Sequence, residues 1–351
     1  MPVSALKRGS RCLKRPDCSV DVVDAITKQA HTLMHVSSLY YNEPQLELAE
    51  LLVANSCMDR VFFQNSGAEA VEGAIKAARR YGQVHLNGAY EIITAWHSFH
   101  GRTLATTAAT GKEAMHDLYQ PVPTGFVSVD YNDLAALKAA TNEKTCAVLL
   151  EVVQGEGGVW PADPAYLRGV REWCDEKGIL LIFDEVQTGM GRLGTLFGYQ
   201  SYGVEPDVMA LAKGLAAGFP IGAFLTKEKA TAMGPGDHGS TFGGNPLACA
   251  AGAAALKYML EHDVPANAKQ VGAYLADRLR NMETKRPIVT EVRGSGCLLA
   301  VEFSEDISGK LVEACIGEGI LVNPVLPNAI RLMPPLNLTT EVADEAVAKI
   351  H

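Results

Sequence analysis

The chain has 351 residues, 48% hydrophobic and 20% charged, a mix that fills a large core and excludes a disordered or low-complexity scaffold. The 31 Lys and Arg against 40 Asp and Glu leave a net charge of −9, which gives no basic footprint for nucleic acid. No stretch reaches the ~18 consecutive apolar residues of a membrane span, and the length suits roughly two domains.

Residues 1–20 stand apart. Lys7, Arg8, Arg11, Lys14 and Arg15 face one acid, Asp17. There is no apolar stretch of the kind a secretory signal carries, and the Arg-rich, acid-poor character fits either an organelle transit peptide or an irregular leader. The elements then follow in order. Val22 to Met34 has helical spacing of apolar residues, and Pro44 to Val53 is a second helix. Val61 to Gln64 is a short strand. Ser66, with Glu69 three positions on, matches a capping box and opens a helix to about Arg80. Glu91 to Ala95 and Val127 to Val129 are strands. Ala147 to Val153 and Ile179 to Phe183 are near-continuous apolar runs, the mark of parallel strands covered on both faces, with a helix at Tyr166 to Glu176 between them. Val208 to Leu211 and Gly222 to Thr226 are further strands, and Ala248 to Leu260 is a buried helix.

This alternation predicts an α/β fold with a mostly parallel sheet between helices over residues 21–263. From 264 to 351 the pattern changes to a smaller α+β domain: a helix at Ala266 to Thr284, strands at Val289 to Val292, Leu298 to Phe303, Ile320 to Val322 and Ile330 to Met333, and helices near Lys310 to Ile316 and from Thr340. The 8 cysteines include no C-x-x-C pair. Reduced thiols in a cytoplasmic setting are expected. His31 and His35, and His97 and His100, have no evident third partner, so core or surface histidines are expected and no metal.

The chemistry gathers at strand ends, where doubly wound sheets bind ligands. Asp184 and Glu185 follow the apolar run Leu180 to Phe183; Asp184 could equally be a helix cap or a member of a structural ion pair. Lys213 follows the strand ending at Leu211, among Ala and Gly. It is either a snorkelling surface side chain or a buried amine with a depressed pKa, suited to Schiff-base chemistry. Ser66-Gly67-Ala68 opens a helix and so offers free N–H groups to an anion, and Ser240-Thr241-Phe242-Gly243-Gly244 adds hydroxyls beside glycines. Gly189-Met190-Gly191-Arg192-Leu193-Gly194 formally matches a dinucleotide fingerprint, but it lies beyond the strand with no clear helix after it, which argues against a nicotinamide site.

In order and spacing, Asn65-Ser66-Gly67-Ala68-Glu69-Ala70, Ser98-Phe99-His100-Gly101-Arg102-Thr103, Glu151-Val152-Val153-Gln154-Gly155-Glu156-Gly157-Gly158, Ile182-Phe183-Asp184-Glu185-Val186-Gln187, Ala212-Lys213-Gly214 and Ser240-Thr241-Phe242-Gly243-Gly244-Asn245-Pro246 resemble the class-III pyridoxal-phosphate aminotransferases. Leu39-Tyr40-Tyr41-Asn42-Glu43-Pro44-Gln45 resembles the branch that acts on N-acetylornithine. The resemblance implies a fold-type-I enzyme that uses pyridoxal 5'-phosphate. In it Lys213 would bind the cofactor and move the proton, and Asp184 would pair with the ring nitrogen. Gln187 would bond the ring hydroxyl, and Val186 and Phe99 would cover the ring faces. Ser66, Gly67 and Ala68 would hold the phosphate, with Thr241 reaching the phosphate of a neighbouring subunit in a homodimer. Arg331 would grip a substrate carboxylate, Glu156 would pair with it when no such group is there, and Arg102 and Ser240 would meet the other end of the substrate. Transfer of the δ-amino group of N-acetylornithine to 2-oxoglutarate is the activity implied; ornithine, succinylornithine or 4-aminobutyrate as donor, or a non-catalytic cofactor-binding product, are the alternatives.

Members of the family carry several dozen further residues before this point, then a Gly-His-x-His-Pro stretch where this chain reads Arg15-Pro16-Asp17-Cys18-Ser19-Val20. A transit peptide would precede that segment rather than replace it, so an irregular leader is the expectation for 1–20. A small domain without its N-terminal part is expected as well, along with a C-terminal helix that stops early at His351.

Overall fold

The computed structural model describes residues 20–283 and 287–350. The basic leader and the end of the helix expected at Thr284 therefore lie outside the described residues. In chain order the elements are α1 (Val20–Thr32), α2 (Glu43–Ala54), β1 (Arg60–Gln64), α3 (Gly67–His85), β2 (Glu91–Ala95), α4 (Leu104–Ala109), α5 (Glu113–Leu118), β3 (Phe126–Val129), α6 (Leu134–Ala140), β4 (Thr145–Leu150), β5 (Val153–Gln154), β6 (Trp160–Pro161), α7 (Pro164–Lys177), β7 (Leu180–Asp184), α8 (Gly198–Tyr202), β8 (Val208–Leu211) and β9 (Gly222–Thr226). They continue with α9 (Pro246–Glu261), α10 (Val264–Glu283), β10 (Val289–Ser295), β11 (Leu298–Phe303), α11 (Ser308–Gly317), β12 (Asn323–Leu326), β13 (Ala329–Leu332) and α12 (Thr340–Ile350).

A seven-stranded sheet runs in the order β1-β9-β8-β7-β4-β2-β3. Neighbours from β8 to β3 pair parallel, while β9 is antiparallel to both β8 and β1. The sheet alternates its core residues between two faces, as the two-residue period of a strand requires. Ala147, Leu149, Leu180, Ile182, Val208 and Ala210 pack against Ala70, Val71, Ala74 and Ala78 of α3. Val148, Leu150, Leu181, Phe183, Met209 and Leu211 pack on the opposite face, in the core that also holds Leu167 and Val170 of α7 and Ala251 and Leu256 of α9. Both faces are buried, so the runs read as continuously apolar.

The second sheet, in the order β10-β11-β13-β12, is antiparallel throughout. One face packs Leu299, Val301, Ile330 and Leu332 against α10 and α12 through Leu275, Leu279, Ala343 and Val347. On the other face, Leu298 and Ala300 join the core of the large sheet. Two expectations shift. The run expected to be one strand from Ala147 to Val153 breaks after Leu150, and Val153 enters the short β5–β6 hairpin. The strand expected at Ile320 to Val322 begins instead at Asn323 and pairs with β13. The motif at Gly189–Gly194 is a run of turns. Gly191 and Gly194 have φ of +84° and +94°, and a Cβ on Gly194 would lie 2.7 Å from Lys269 Cβ of α10. These glycines serve close packing between the two sheets' layers.

Candidate active site

The parallel strands all end at one edge of the large sheet, and a cavity of about 590 Å³ opens there. Its walls come from the residues just after β1, β2, β4, β7 and β8. The turn before β9 closes it with Gly218, Phe219, Pro220 and Ile221.

At the floor, Asp184 is 4% exposed. Its Oδ1 accepts from the Val186 N–H at 3.0 Å, and its Oδ2 faces His100 Nδ1 at 2.8 Å. His100 is itself 2% exposed, so this is a buried polar pair whose second oxygen is fixed by a ring. Beside it lies Glu151, whose Oε1 accepts from Phe99 N–H at 2.9 Å and whose Oε2 accepts from Gly155 N–H at 3.1 Å. Burial pushes the Glu151 carboxyl up to about 7, with Asp184 adding to the rise and His100 and the two backbone donors opposing it.

Lys213 stands in the cavity wall with its backbone in the left-handed region at φ +42°. That is a costly place for a side chain, and such strain collects at functional sites. A short 3₁₀ turn, Lys213–Ala216, follows it. The residue is open to the cavity, yet withdrawal from bulk water lowers the ammonium's pKa; Asp184, Glu151 and Glu156 pull it back up, and Arg331 pushes it down. The outcome is an amine held nearer to its neutral form.

α3 brings its N-terminus to the same cavity. Ser66 is the N-cap, and its Oγ accepts from Glu69 N–H at 3.2 Å. The returning carboxylate of Glu69 takes the N–H of Asn65 at 2.7 Å rather than that of Ser66, so the box closes one residue early. The N–H groups of Gly67 and Ala68 belong to the first turn, which a helix leaves without intrahelical partners. A Cβ on Gly67 would come 2.8 Å from Val186 Cγ1, so glycine is what lets this cradle approach the residue after the Asp184 strand.

The other expected residues divide. Phe99, Arg102, Val186 and Gln187 line the cavity, with the Arg102 guanidinium 5.6 Å from the centre of the Phe99 ring. Glu156 and Arg331 sit one layer behind Gln187: Arg331 Nη1 donates to Glu156 Oε1 at 2.6 Å and to Gln187 Oε1 at 2.9 Å. Gln187 Nε2 donates to the same Glu156 oxygen at 3.2 Å. Burial raises the Glu156 carboxyl, but Arg331 and Gln187 outweigh it and the pKa falls below its ordinary value. Ser240 flanks the cavity, accepting from Asn65 Nδ2 at 3.3 Å and Gly243 N–H at 3.0 Å. Thr241 is exposed and does not line the cavity. Sequence reasoning did not single out Glu151 as a site residue, and it set His100 among core or surface histidines. His100 is a core histidine, but its partner is Asp184, which no spacing rule reveals.

The donor set fits pyridoxal 5'-phosphate. The cavity joins one amine of lowered pKa, a buried carboxylate fixed by a ring, an N-terminal helix cradle for an anion and an aromatic wall, and His100 Nε2 is buried with no hydrogen-bond partner among the described residues. Comparison with known proteins gives the same picture. The model of the aminotransferase class-III family matches residues 17–351. An acetylornithine aminotransferase of Caldanaerobacter subterraneus is 48% identical over 331 residues, 94% of this chain and 84% of its own length. One from Gloeobacter violaceus is 49% identical over 326 residues, 92% of this chain and 82% of its own. Among solved structures, the ornithine aminotransferase of Toxoplasma gondii, described with pyridoxal phosphate at its active site, superposes with a TM-score of 0.90 at 34% identity, covering 95% of this chain and 81% of its own. The chain therefore belongs to the class-III aminotransferases, and its cofactor is pyridoxal 5'-phosphate.

Proposed function

We propose that the chain transfers the δ-amino group of N2-acetyl-L-ornithine to 2-oxoglutarate, giving N-acetylglutamate 5-semialdehyde and glutamate, a step of arginine biosynthesis. The observation that carries this reading is the Arg331–Glu156 contact at 2.6 Å behind Gln187. A donor that reacts at its far end brings no carboxylate next to the reacting carbon, whereas 2-oxoglutarate does. An arginine neutralised by a glutamate that can turn away serves both substrates, since guanidinium grips carboxylate bidentately once freed. Relatives 44–49% identical that are named acetylornithine aminotransferase support the choice of donor.

Pyridoxal 5'-phosphate, when bound, supplies an electron sink for the charge left when a proton leaves the carbon that bears the amine. Lys213 would hold the cofactor and, once displaced, take that proton at Nζ and return it; its lowered pKa favours the neutral amine that such a base requires. Asp184, oriented by His100, would keep a proton on the ring nitrogen. Gln187 would bond the ring hydroxyl, and Val186 and Phe99 would cover the two faces. The N–H groups of Gly67 and Ala68, behind the Ser66 cap, would bind the phosphate. Thr241, turned to solvent in the single chain, would reach the phosphate held by a second copy, so the working unit is a homodimer. Arg102 and Ser240 would receive the far end of the donor. We divide the chain between α9 and α10, at 263/264, into a cofactor-binding and a smaller domain; the smaller domain's own core around Leu275, Leu279, Val301 and Leu332 supports this, while Leu298 and Ala300 pack into the core of the large sheet. Free cysteines at 57, 146, 174, 249, 297 and 315 support a reducing, cytoplasmic setting.

The test is turnover with 2-oxoglutarate against a panel of donors. N-acetylornithine should give the highest kcat/KM. Rates as good or better with 4-aminobutyrate would overturn the proposal, and a preference for free ornithine would move the assignment to that substrate.

A further inference from the structure

The second sheet carries two arginines in one cross-strand row. Arg293 on β10 pairs with Ala300 on β11, and Ala300 pairs with Arg331 on β13. Directly opposed residues share a face, and Ala300 belongs to the core shared with the large sheet. Both arginines therefore point at the large sheet's layer, with a methyl group between them. They meet the same short segment, the turn that joins β5 to β6. Arg331 takes Glu156 in this turn. Arg293 Nε donates to the carbonyl of Gly158 at 2.9 Å, two residues on.

The two arginines differ in how firmly they are held. Arg293 is 6% exposed. Its Nη1 donates to Glu302 Oε2 at 2.5 Å and to Glu291 Oε2 at 2.7 Å, and its guanidinium lies 3.6 Å from the centre of the Trp160 ring. It thus has carboxylates, a carbonyl and an aromatic face as fixed partners. Arg331 has one carboxylate and two side-chain amides. The turn between them needs holding. Gly158 has φ +121°, and a Cβ there would lie 2.8 Å from Trp160 Nε1 and 3.0 Å from Leu326 Cδ1. Val159, a β-branched residue, has φ +58°. Backbone of this kind persists only where its surroundings over-determine it.

We infer that Arg293 and Trp160 form a clamp that positions the turn at residues 155–159, and through it sets Glu156 on Arg331. Arg293 is a positioning residue: it acts on the substrate-binding arginine through Glu156. The inference rests on the reading of Glu156 as the exchangeable partner of Arg331. Without the clamp the turn relaxes, Glu156 loses its register with Arg331, and the arginine stands uncompensated while the ω-amine donor binds. The oxo-acid half of the cycle, in which Arg331 is free for substrate, does not need the clamp.

The experiment measures the two half-reactions separately by single-turnover absorbance in the holoenzyme, for Arg293→Met, Glu156→Gln and the double variant. Amide hydrogen exchange of the 153–161 segment is followed alongside. Arg293→Met should lower kcat/KM for the donor half-reaction on the order of 10-fold to 100-fold, leave the 2-oxoglutarate half-reaction within about twofold, and speed exchange in that segment. The double variant should be little worse than Glu156→Gln alone, because both changes remove one contact. Additive losses, or equal losses in both half-reactions, would overturn the inference. If Glu156→Gln itself leaves the half-reactions in balance, the reading of Glu156 fails, and the clamp's proposed effect fails with it. Should Arg293→Met not fold, Trp160→Leu removes the stacked face while keeping the ion pairs, and the same split must appear there.

Discussion

Asp184 and His100 lie 84 positions apart in the chain and 2.8 Å apart in the fold. A carboxylate with both oxygens partnered inside the protein cannot rotate to suit water, so its direction is set before any ligand arrives. Replacing His100 with Phe keeps an aromatic body and deletes the partner of Asp184 Oδ2. The cost is that of a buried acceptor left unsatisfied, about 1–3 kcal/mol. Chemical denaturation should show it as a lower midpoint at unchanged slope, and cofactor affinity should fall with it. A variant as stable and as tightly loaded as the parent would show that the ring has no orienting part.

At the scale of elements, α3 couples the anion cradle to the core. Ser66 caps it, alanines along its inner face meet the sheet, and the missing Cβ of Gly67 leaves room for Val186. Gly67→Ala puts a methyl 2.8 Å from Val186 Cγ1, a distance that forces either the helix end or the Val186 wall to move. Overpacking of this sort costs about 1–3 kcal/mol. Weaker cofactor binding with far-ultraviolet circular dichroism unchanged is the outcome expected, and binding as tight as the parent's would count against the cradle.

α3 also marks how far the sequence can be read. The cap at Ser66, the strands β2, β8 and β9 and the helix α9 are legible, because local periodicity and local side-chain chemistry specify them. The break after Leu150 is not, since Glu151 sits in an apolar run and only the donors of Phe99 and Gly155 make its burial possible. Lys213 and Asp184 each carry two readings in the sequence, and only the pairing of β7 with β8 shows that their strand ends lie side by side. The short helices α4, α5 and α6 carry too few turns for a pattern.

Two further carboxyls bear on the whole molecule. Glu185 is fully enclosed, accepting from Gly198 and Tyr199 N–H and from Thr188 Oγ1. Burial pushes it up to about 7 against its three donors, the same level as Glu151. Each therefore keeps its proton to higher pH when folded than the ordinary 4.5 of the unfolded chain. Their contribution to stability is fully present below about pH 4.5 and is lost as pH rises through about 7. Glu185→Gln should flatten the decline of denaturation midpoint between pH 5 and 8, although it lowers stability overall by exchanging an acceptor for a donor. An unchanged pH profile would mean that Glu185 ionises as an ordinary carboxyl.

The register of β1 against β9, Gln64 opposite Gly222, has one more consequence. The cradle of α3 hangs from β1, yet β1 has no sheet partner until β9 exists, roughly 160 residues later in the chain. At a synthesis rate of about 5–20 residues per second, β1 waits roughly ten to thirty seconds on the ribosome with its edge open. In that interval it is a candidate client for a chaperone.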